Sequence, residues 1–257
     1  MSPRRWRRAA AYVAYLVVVS ATGAYALFTV QRAASIYETL KGPRRGFSGR
    51  LYRADPELGW TSIPGARGEM VFPSRPPLPV RFDQDGFRVP AEGPERVERR
   101  RPLVLALGCS FTFGDACRAE EAYPHLLARA LGGTEINAGL CGGSLAQMLI
   151  QARRLIPQHR PDYVVVQYSP WLLKRGSTGF GKSTFGLVTA PYFYWRGGAL
   201  EIQPPLPGTA VFGLPFHDFE SDRRGAGEFA SFLLRAGAPL LLHDDWLWLR
   251  HRVQLRR

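Results

Sequence analysis

Hydrophobic and polar positions change their rhythm three times along this chain. After Arg4, Arg5, Arg7 and Arg8 comes an uncharged run from Ala9 to Val30, which as a helix is about 33 Å long and spans the apolar core of a bilayer. A helix buried in a soluble core normally carries a polar face, and this run offers only Ser20, Thr22 and Thr29. Ala24-Tyr25-Ala26 has the small-x-small spacing of a signal cleavage site, but apolar character continues through Leu27, Phe28 and Val30, which favours a retained anchor. The arginines before the run outnumber the single Arg32 just after it. That asymmetry predicts a cytoplasmic N-terminus (1–8), a membrane contact through residues 9–30, and residues 31–257 on the extracytoplasmic side, periplasmic or extracellular.

Beyond the anchor, residues 31–50 continue as a polar extension ending in KGPRR, a juxtamembrane linker. Residues 51–98 are rich in Pro and Gly with short alternating stretches, such as PVRFDQDGFRV around the turn pair Asp85-Gly86, and predict a small β-rich lead-in. From 101 the period changes. Leu103 to Leu107 is a short, wholly apolar run, the pattern of a buried parallel strand. Glu120 to Leu131 is helical in pattern, with Pro124 in its first turn and Gly132-Gly133 as its stop. Thr134 to Asn137 is a second strand, and Ser144 to Ile156 presents an apolar helical face ended by Pro157. Asp162 to Tyr168 is a third strand. Strand, helix, strand, helix, strand at these lengths predicts an α/β domain with a parallel sheet over 101–257. Residues 170 to about 224 lack that rhythm and form a long insertion, and the C-terminal stretch looks helical and basic, with no evident terminal strand.

Composition changes the picture in two ways. The chain has 257 residues and a net charge of +13, from 34 basic and 21 acidic residues, and almost all the basic residues are arginine. They lie scattered in pairs without interleaved aromatics or zinc-finger spacing, so nucleic acid is not an expected partner. Three cysteines, Cys109, Cys117 and Cys141, would face an oxidising compartment. Either a disulfide from Cys141 to Cys117 or Cys109 pins two loops together, or all three are free thiols. No CxxC, HExxH or clustered His/Cys spacing points to a metal, and no cofactor is expected.

Candidate chemistry gathers where parallel strands end. The first strand runs into Gly108-Cys109-Ser110-Phe111-Thr112-Phe113-Gly114, a serine on a tight turn among small residues, able to expose its hydroxyl and offer its N–H to a developing oxyanion. The second ends in Asn137-Ala138-Gly139 and the flexible Leu140-Cys141-Gly142-Gly143, and the third in Gln167-Tyr168-Ser169-Pro170-Trp171.

These residues resemble the SGNH (GDSL-type) hydrolases over roughly residues 55–172. The likeness lies in the apolar strand with its GxSxTxG turn, the N-x-G after the next strand and the Pro161-Asp162 apolar strand. Leu58-Gly59-Trp60 and Gly86-Phe87-Arg88 are similar to patches preceding this domain in envelope relatives. The resemblance implies a three-layer α/β/α sandwich. It also implies Ser110 as nucleophile and the N–H groups of Ser110 and Gly139 as oxyanion donors, acting on acyl or acetyl esters of an envelope glycan or a small ester.

Three departures bear on activity. Cys109 replaces the aspartate that usually precedes the serine. The oxyanion-donating Asn after the third strand is missing, since Asn137 is the only asparagine in the chain, leaving Gln167 or Ser169 as substitutes. No Asp has a His three residues on. Among His125, His159, His217, His243 and His251, the best local base is His243, followed by Asp244 and Asp245. The alternative is a catalytically inactive or truncated SGNH-like envelope protein, with the chain ending before the family's C-terminal catalytic block. Gly176 to Ser183 fits the P-loop spacing, but a P-loop needs a strand just before it and a helix just after, and the following TFGLVTAPYFYW is a poor helix. Tyr192, Phe193, Tyr194 and Trp195 could line a sugar cleft or cover core.

Overall fold

The computed structural model describes residues 3–41, 46–72, 75–94, 96–183 and 186–205, and towards the C-terminus 233–234, 238, 241–243, 245–246 and 249. His217, Asp244 and His251 lie outside the described residues.

The N-terminal apolar run lies within one helix, α1 (Pro3–Lys41). Its stretch Arg5–Ser35 is long and apolar enough to cross a membrane and is almost entirely bare of protein contacts. The polar extension continues as helix to Lys41, and the first strand, β1 (Gly46–Ser48), already belongs to the lead-in, five residues before the boundary the sequence predicts.

The β-rich lead-in consists of β1, β2 (Tyr52–Asp55), β3 (Gly59–Ser62), β4 (Arg67–Phe72), β5 (Arg75–Phe82) and β6 (Arg88–Val89). β2 and β3 form a hairpin, while the other four make an antiparallel sheet in the order β1-β4-β5-β6. Asp85-Gly86 lies in the turn between β5 and β6. Asp83 shapes that turn by accepting from the N–H groups of Asp85 (3.0 Å) and Phe87 (2.9 Å). Apolar side chains from these strands, including Phe47, Tyr52, Trp60, Met70 and Phe82, pack into one cluster with Phe113, Leu140 and Cys141 of the following domain. The lead-in is therefore built onto the strand-end loops rather than tethered beside them.

The α/β part follows as β7 (Leu103–Leu107), the short helix α2 (Ser110–Phe113), a 3₁₀ turn at Ala119–Glu121, α3 (Tyr123–Ala130), β8 (Thr134–Asn137), α4 (Leu145–His159) and β9 (Tyr163–Val166). The sheet is parallel, in the order β8-β7-β9. Every residue of β7 is buried. Leu103, Leu105 and Leu107 share one face with Ile136, packed by Ala152 and Leu155 of α4. Ser144 caps α4, accepting from the Gln147 N–H while the Gln147 side chain accepts from the Ser144 N–H at 2.8 Å, a reciprocal capping box. Pro157 does not end α4, which continues to His159. The stop is Arg160, in a left-handed conformation with φ 46° and its N–H on the Ile156 carbonyl.

The predicted insertion starts with a helix, α5 (Pro170–Arg175), followed by two hairpins, β10 (Phe180–Ser183) with β11 (Gly186–Thr189) and β12 (Tyr192–Arg196) with β13 (Ala199–Gln203). The GxxxxGKS spacing thus enters an antiparallel hairpin with no helix after it, and the phosphate-cradling geometry of a P-loop is not formed. Tyr192 and Tyr194 are buried together and Trp195 is exposed.

β9 is anomalous. A Tyr-Val-Val-Val strand has the composition of a sheet interior, yet it is an edge strand, with Tyr163, Val164 and Val166 exposed among the described residues.

Asp162 ties β9 to β7, accepting from the Leu103 N–H at 2.6 Å and pairing with Arg101 at 2.6 Å. The Leu103 N–H foremost, and then Arg101, hold its carboxyl below the usual aspartate range against a smaller opposing effect of burial. A carboxylate whose folded pKa is depressed stabilises the fold above its unfolded pKa, about 3.9, and that contribution disappears as pH falls through the lower folded value. Urea midpoints of the wild-type chain therefore decline more steeply below about pH 4 than those of Asp162→Asn, while the variant is the less stable of the two at pH 7.

Candidate functional site

Ser110 is the first residue of α2, directly after Gly108 and Cys109 at the C-terminal end of the central strand β7. The chain leaves β7 towards β8 on one side and returns to β9 on the other. This makes the end of β7 a topological switch point, where the loops of an open parallel sheet part to leave a crevice. Ser110 is half-buried. The Phe113 N–H closes the single turn on the Cys109 carbonyl at 2.9 Å, leaving the N–H groups of Ser110, Phe111 and Thr112 without intrahelical acceptors.

Three anchors hold this turn. From the β9 end, the Gln167 carboxamide oxygen accepts from the Cys109 N–H at 3.0 Å, the Cys109 thiol at 3.2 Å and the Thr112 hydroxyl at 3.4 Å. Its amide nitrogen donates to the Ser169 hydroxyl at 3.3 Å. Gln167, one of two possible substitutes for the missing oxyanion donor, thus has its oxygen on the turn and its N–H₂ on Ser169. From the β8 end, the Asn137 amide donates to the Thr112 carbonyl at 2.9 Å, and its oxygen accepts from the Gly139 N–H at 3.0 Å. The Gly139 N–H, expected as an oxyanion donor, is engaged inside its own loop. Gly139 also lies against α2 so closely that an added Cβ would sit 2.2 Å from the Phe113 nitrogen.

The third anchor comes from the lead-in. Arg88, 2% exposed, donates to the carbonyls of Phe113, Gly114 (2.5 Å) and Cys117 (2.7 Å) and lies 4.4 Å from the Phe113 ring centroid. It places a positive charge at the C-terminal end of α2, where the last carbonyls of a helix have no helical donor. Gly114 ends α2 in a left-handed conformation with φ 80°. In the sequence Arg88 is only the third residue of a GFR turn. Its role is legible only once the lead-in is folded against α2.

All three cysteines are free thiols, so neither candidate disulfide forms. Each sulfur has a different neighbour: Cys109 the Gln167 oxygen, Cys117 the Gly114 carbonyl at 3.4 Å, and Cys141 the Tyr52 side chain. Burial pushes the Cys141 thiol and the Tyr52 hydroxyl well above their ordinary pKa values, and it also raises the Cys117 thiol and lowers the Arg88 guanidinium.

Among the described residues the partner of the Ser110 hydroxyl is the Cys109 sulfur at 3.8 Å, and no histidine is brought to it. His125 pairs with Glu135 at 2.9 Å. His159 packs edge-on against Phe87. His243 lies on a helical turn, not a strand, with its ring 6.1 Å from that of Tyr192, and burial lowers its pKa. Exposed Phe111 and Trp171, ring centroids 6.0 Å apart, and exposed Tyr168 form an aromatic rim on the strand-end side. A cavity of about 120 Å³ lies behind the Asn137–Leu140 loop, between Tyr52 and Gln151; Ser110 does not line it.

No family model matches the sequence, and no curated protein matches it. Among solved structures the chain is similar to AlinE4, described as an SGNH-hydrolase family esterase, and to a mutant of the same esterase. In both cases the identity is 28% and the TM-score 0.26, over 31% of this chain and 45% of the other. The match thus spans less than half the length of that esterase.

Two substitutions test the anchors. Arg88→Met removes the donor that the carbonyls of Phe113, Gly114 and Cys117 share and lowers unfolding stability by about 3 kcal/mol in urea titrations. Gly139→Ala drives a Cβ into α2 and costs about 2 kcal/mol in the same assay, whereas Gly132→Ala, with open space around it, costs only the strain of its left-handed φ.

Proposed function

We propose that this chain is a membrane-anchored serine esterase or acyl-transfer enzyme of SGNH type, acting through Ser110 on acyl or acetyl esters of an envelope glycan or of a small molecule. The observation that carries this reading is the position of Ser110: a half-buried serine opening a helix at the switch point of a parallel sheet, with its turn held from three sides. The opposite directions of the two crossovers support the three-layer α/β/α arrangement, since right-handed connections running opposite ways cover opposite faces of a sheet. The basic N-terminal flank of α1 supports an extracytoplasmic domain.

In the reaction the Ser110 Oγ attacks the ester carbonyl, and the proton it loses ends on the departing alcohol oxygen. The tetrahedral oxyanion takes the Ser110 N–H, which has no helical acceptor. It takes the Gly139 N–H only if the Asn137 oxygen releases it. The alcohol then leaves, and water or an acceptor hydroxyl resolves the acyl-Ser110 ester. The exposed Phe111, Tyr168 and Trp171 are placed to receive the part of the substrate beyond the scissile bond.

The rival reading, an inactive SGNH-like binding protein, is favoured by one specific feature: the Ser110 hydroxyl faces a thiol and the Gly139 N–H an internal acceptor, so neither is poised. A fluorophosphonate probe on the full chain in nanodiscs, with Ser110→Ala as control, decides between them. The esterase reading expects a labelled Ser110 peptide in mass spectrometry and none from the variant. An unlabelled but folded protein would establish the binding-protein reading.

A further inference from the structure

The C-terminal helical segment meets α1 at one level of the membrane-spanning helix. The Asp245 carboxylate accepts from the Tyr25 hydroxyl at 2.7 Å and from Arg32 at 2.9 and 2.8 Å. Tyr25 and Arg32 are about 10 Å apart along the helix axis, and the apolar run ends between them, at Val30. Helix side chains tilt towards the N-terminus, so Arg32 reaches back to the carboxylate. Asp245 is therefore held at the depth where the apolar run gives way to polar chain, and its charge is matched there.

Two described residues of this segment pack against the protein. Leu241 is buried, 2% exposed, and His243 packs against Tyr192. One stripe does not: Leu242, Trp246 and Leu249, spaced i, i+4, i+7 on one helical face, are 47%, 56% and 50% exposed. Asp245 borders that stripe, and the neighbouring surface of α1 bears the exposed Phe28, whose ring lies 5.3 Å from the Arg32 guanidinium. An apolar stripe with a central Trp, at the boundary level of a spanning helix and continuous with its apolar surface, has the chemistry of an interfacial helix.

We infer that the helical turn bearing Leu242, Trp246 and Leu249 lies in the headgroup–acyl boundary of the bilayer, with these three side chains facing lipid and the Asp245–Arg32–Tyr25 contact setting its depth. The inference rests on α1 crossing the membrane and is independent of any activity at Ser110. The membrane contact is then two-part, a spanning helix and an interfacial one, which fixes the orientation of the domain above the bilayer as well as its distance from it.

The test is photo-crosslinking of the full chain in nanodiscs of phosphatidylcholine and phosphatidylglycerol containing a lipid with a diazirine near the head of its acyl chain, with adducts mapped on tryptic peptides. Adducts are expected on α1 and on the peptide 236–250. Asp245→Ala should lower the yield on 236–250 severalfold and leave α1 unchanged, and Trp246→Gln should do so without breaking the contact to α1. Adducts on α1 alone would overturn the inference and spare the anchor. Adducts on neither would overturn the spanning helix and, with it, the interfacial one.

Discussion

A buried guanidinium organises this molecule. Arg88 belongs to the lead-in, but every oxygen it serves belongs to the turn after Ser110. A charge removed from water has to be repaid by hydrogen bonds, and here the acceptors are carbonyls at and just beyond the end of a one-turn helix. Its charge and its stacking on Phe113 oblige the lead-in and the α/β part to fold against each other. The shared apolar cluster, from Phe47 and Trp60 to Phe113 and Cys141, follows from that apposition. The short helix carrying Ser110 could not persist on its own propensity; it exists because Arg88 closes one end while Gln167 and Asn137 hold the other parts of its turn.

The same bonds that hold the turn also shape its chemistry. Gln167 and Asn137 are the polar residues at the ends of the flanking strands, and both have groups committed to bracing the serine turn. Gln167 meets the turn with its carboxamide oxygen and Asn137 with its amide nitrogen, and in each case that bond fixes where the other atom of the carboxamide points. The result is a serine turn braced from both flanking strands, with the N–H groups of Ser110, Phe111 and Thr112 outside the helical bonding and the Gly139 N–H taken by Asn137.

The N-terminal helix follows a different constraint. α1 has almost no protein partner along its apolar length, and its contact with the C-terminal segment is concentrated where a carboxylate, a phenol and a guanidinium can meet. The edge strand β9 is the counterpart on the sheet side: among the described residues it is an apolar strand whose side chains have the composition of an interior and the exposure of a surface.

The long apolar N-terminal helix, the β-rich lead-in, the β7-α3-β8-α4-β9 rhythm and the placement of Ser110 after a buried strand were all legible in the sequence. Each depends on local periodicity or on a turn chemistry written within a few residues. The extent of α4 past Pro157, the strands inside the region 170–224 and the earlier start of the lead-in were not, because hairpin pairing and a helix's last turn depend on neighbours distant in sequence. The free thiols, the capture of the Gly139 N–H and the absence of a histidine beside Ser110 among the described residues were decided only in three dimensions. Arg88 shows the reason most plainly: 25 residues separate it from the Phe113 carbonyl it caps, and no period or motif carries information over that distance.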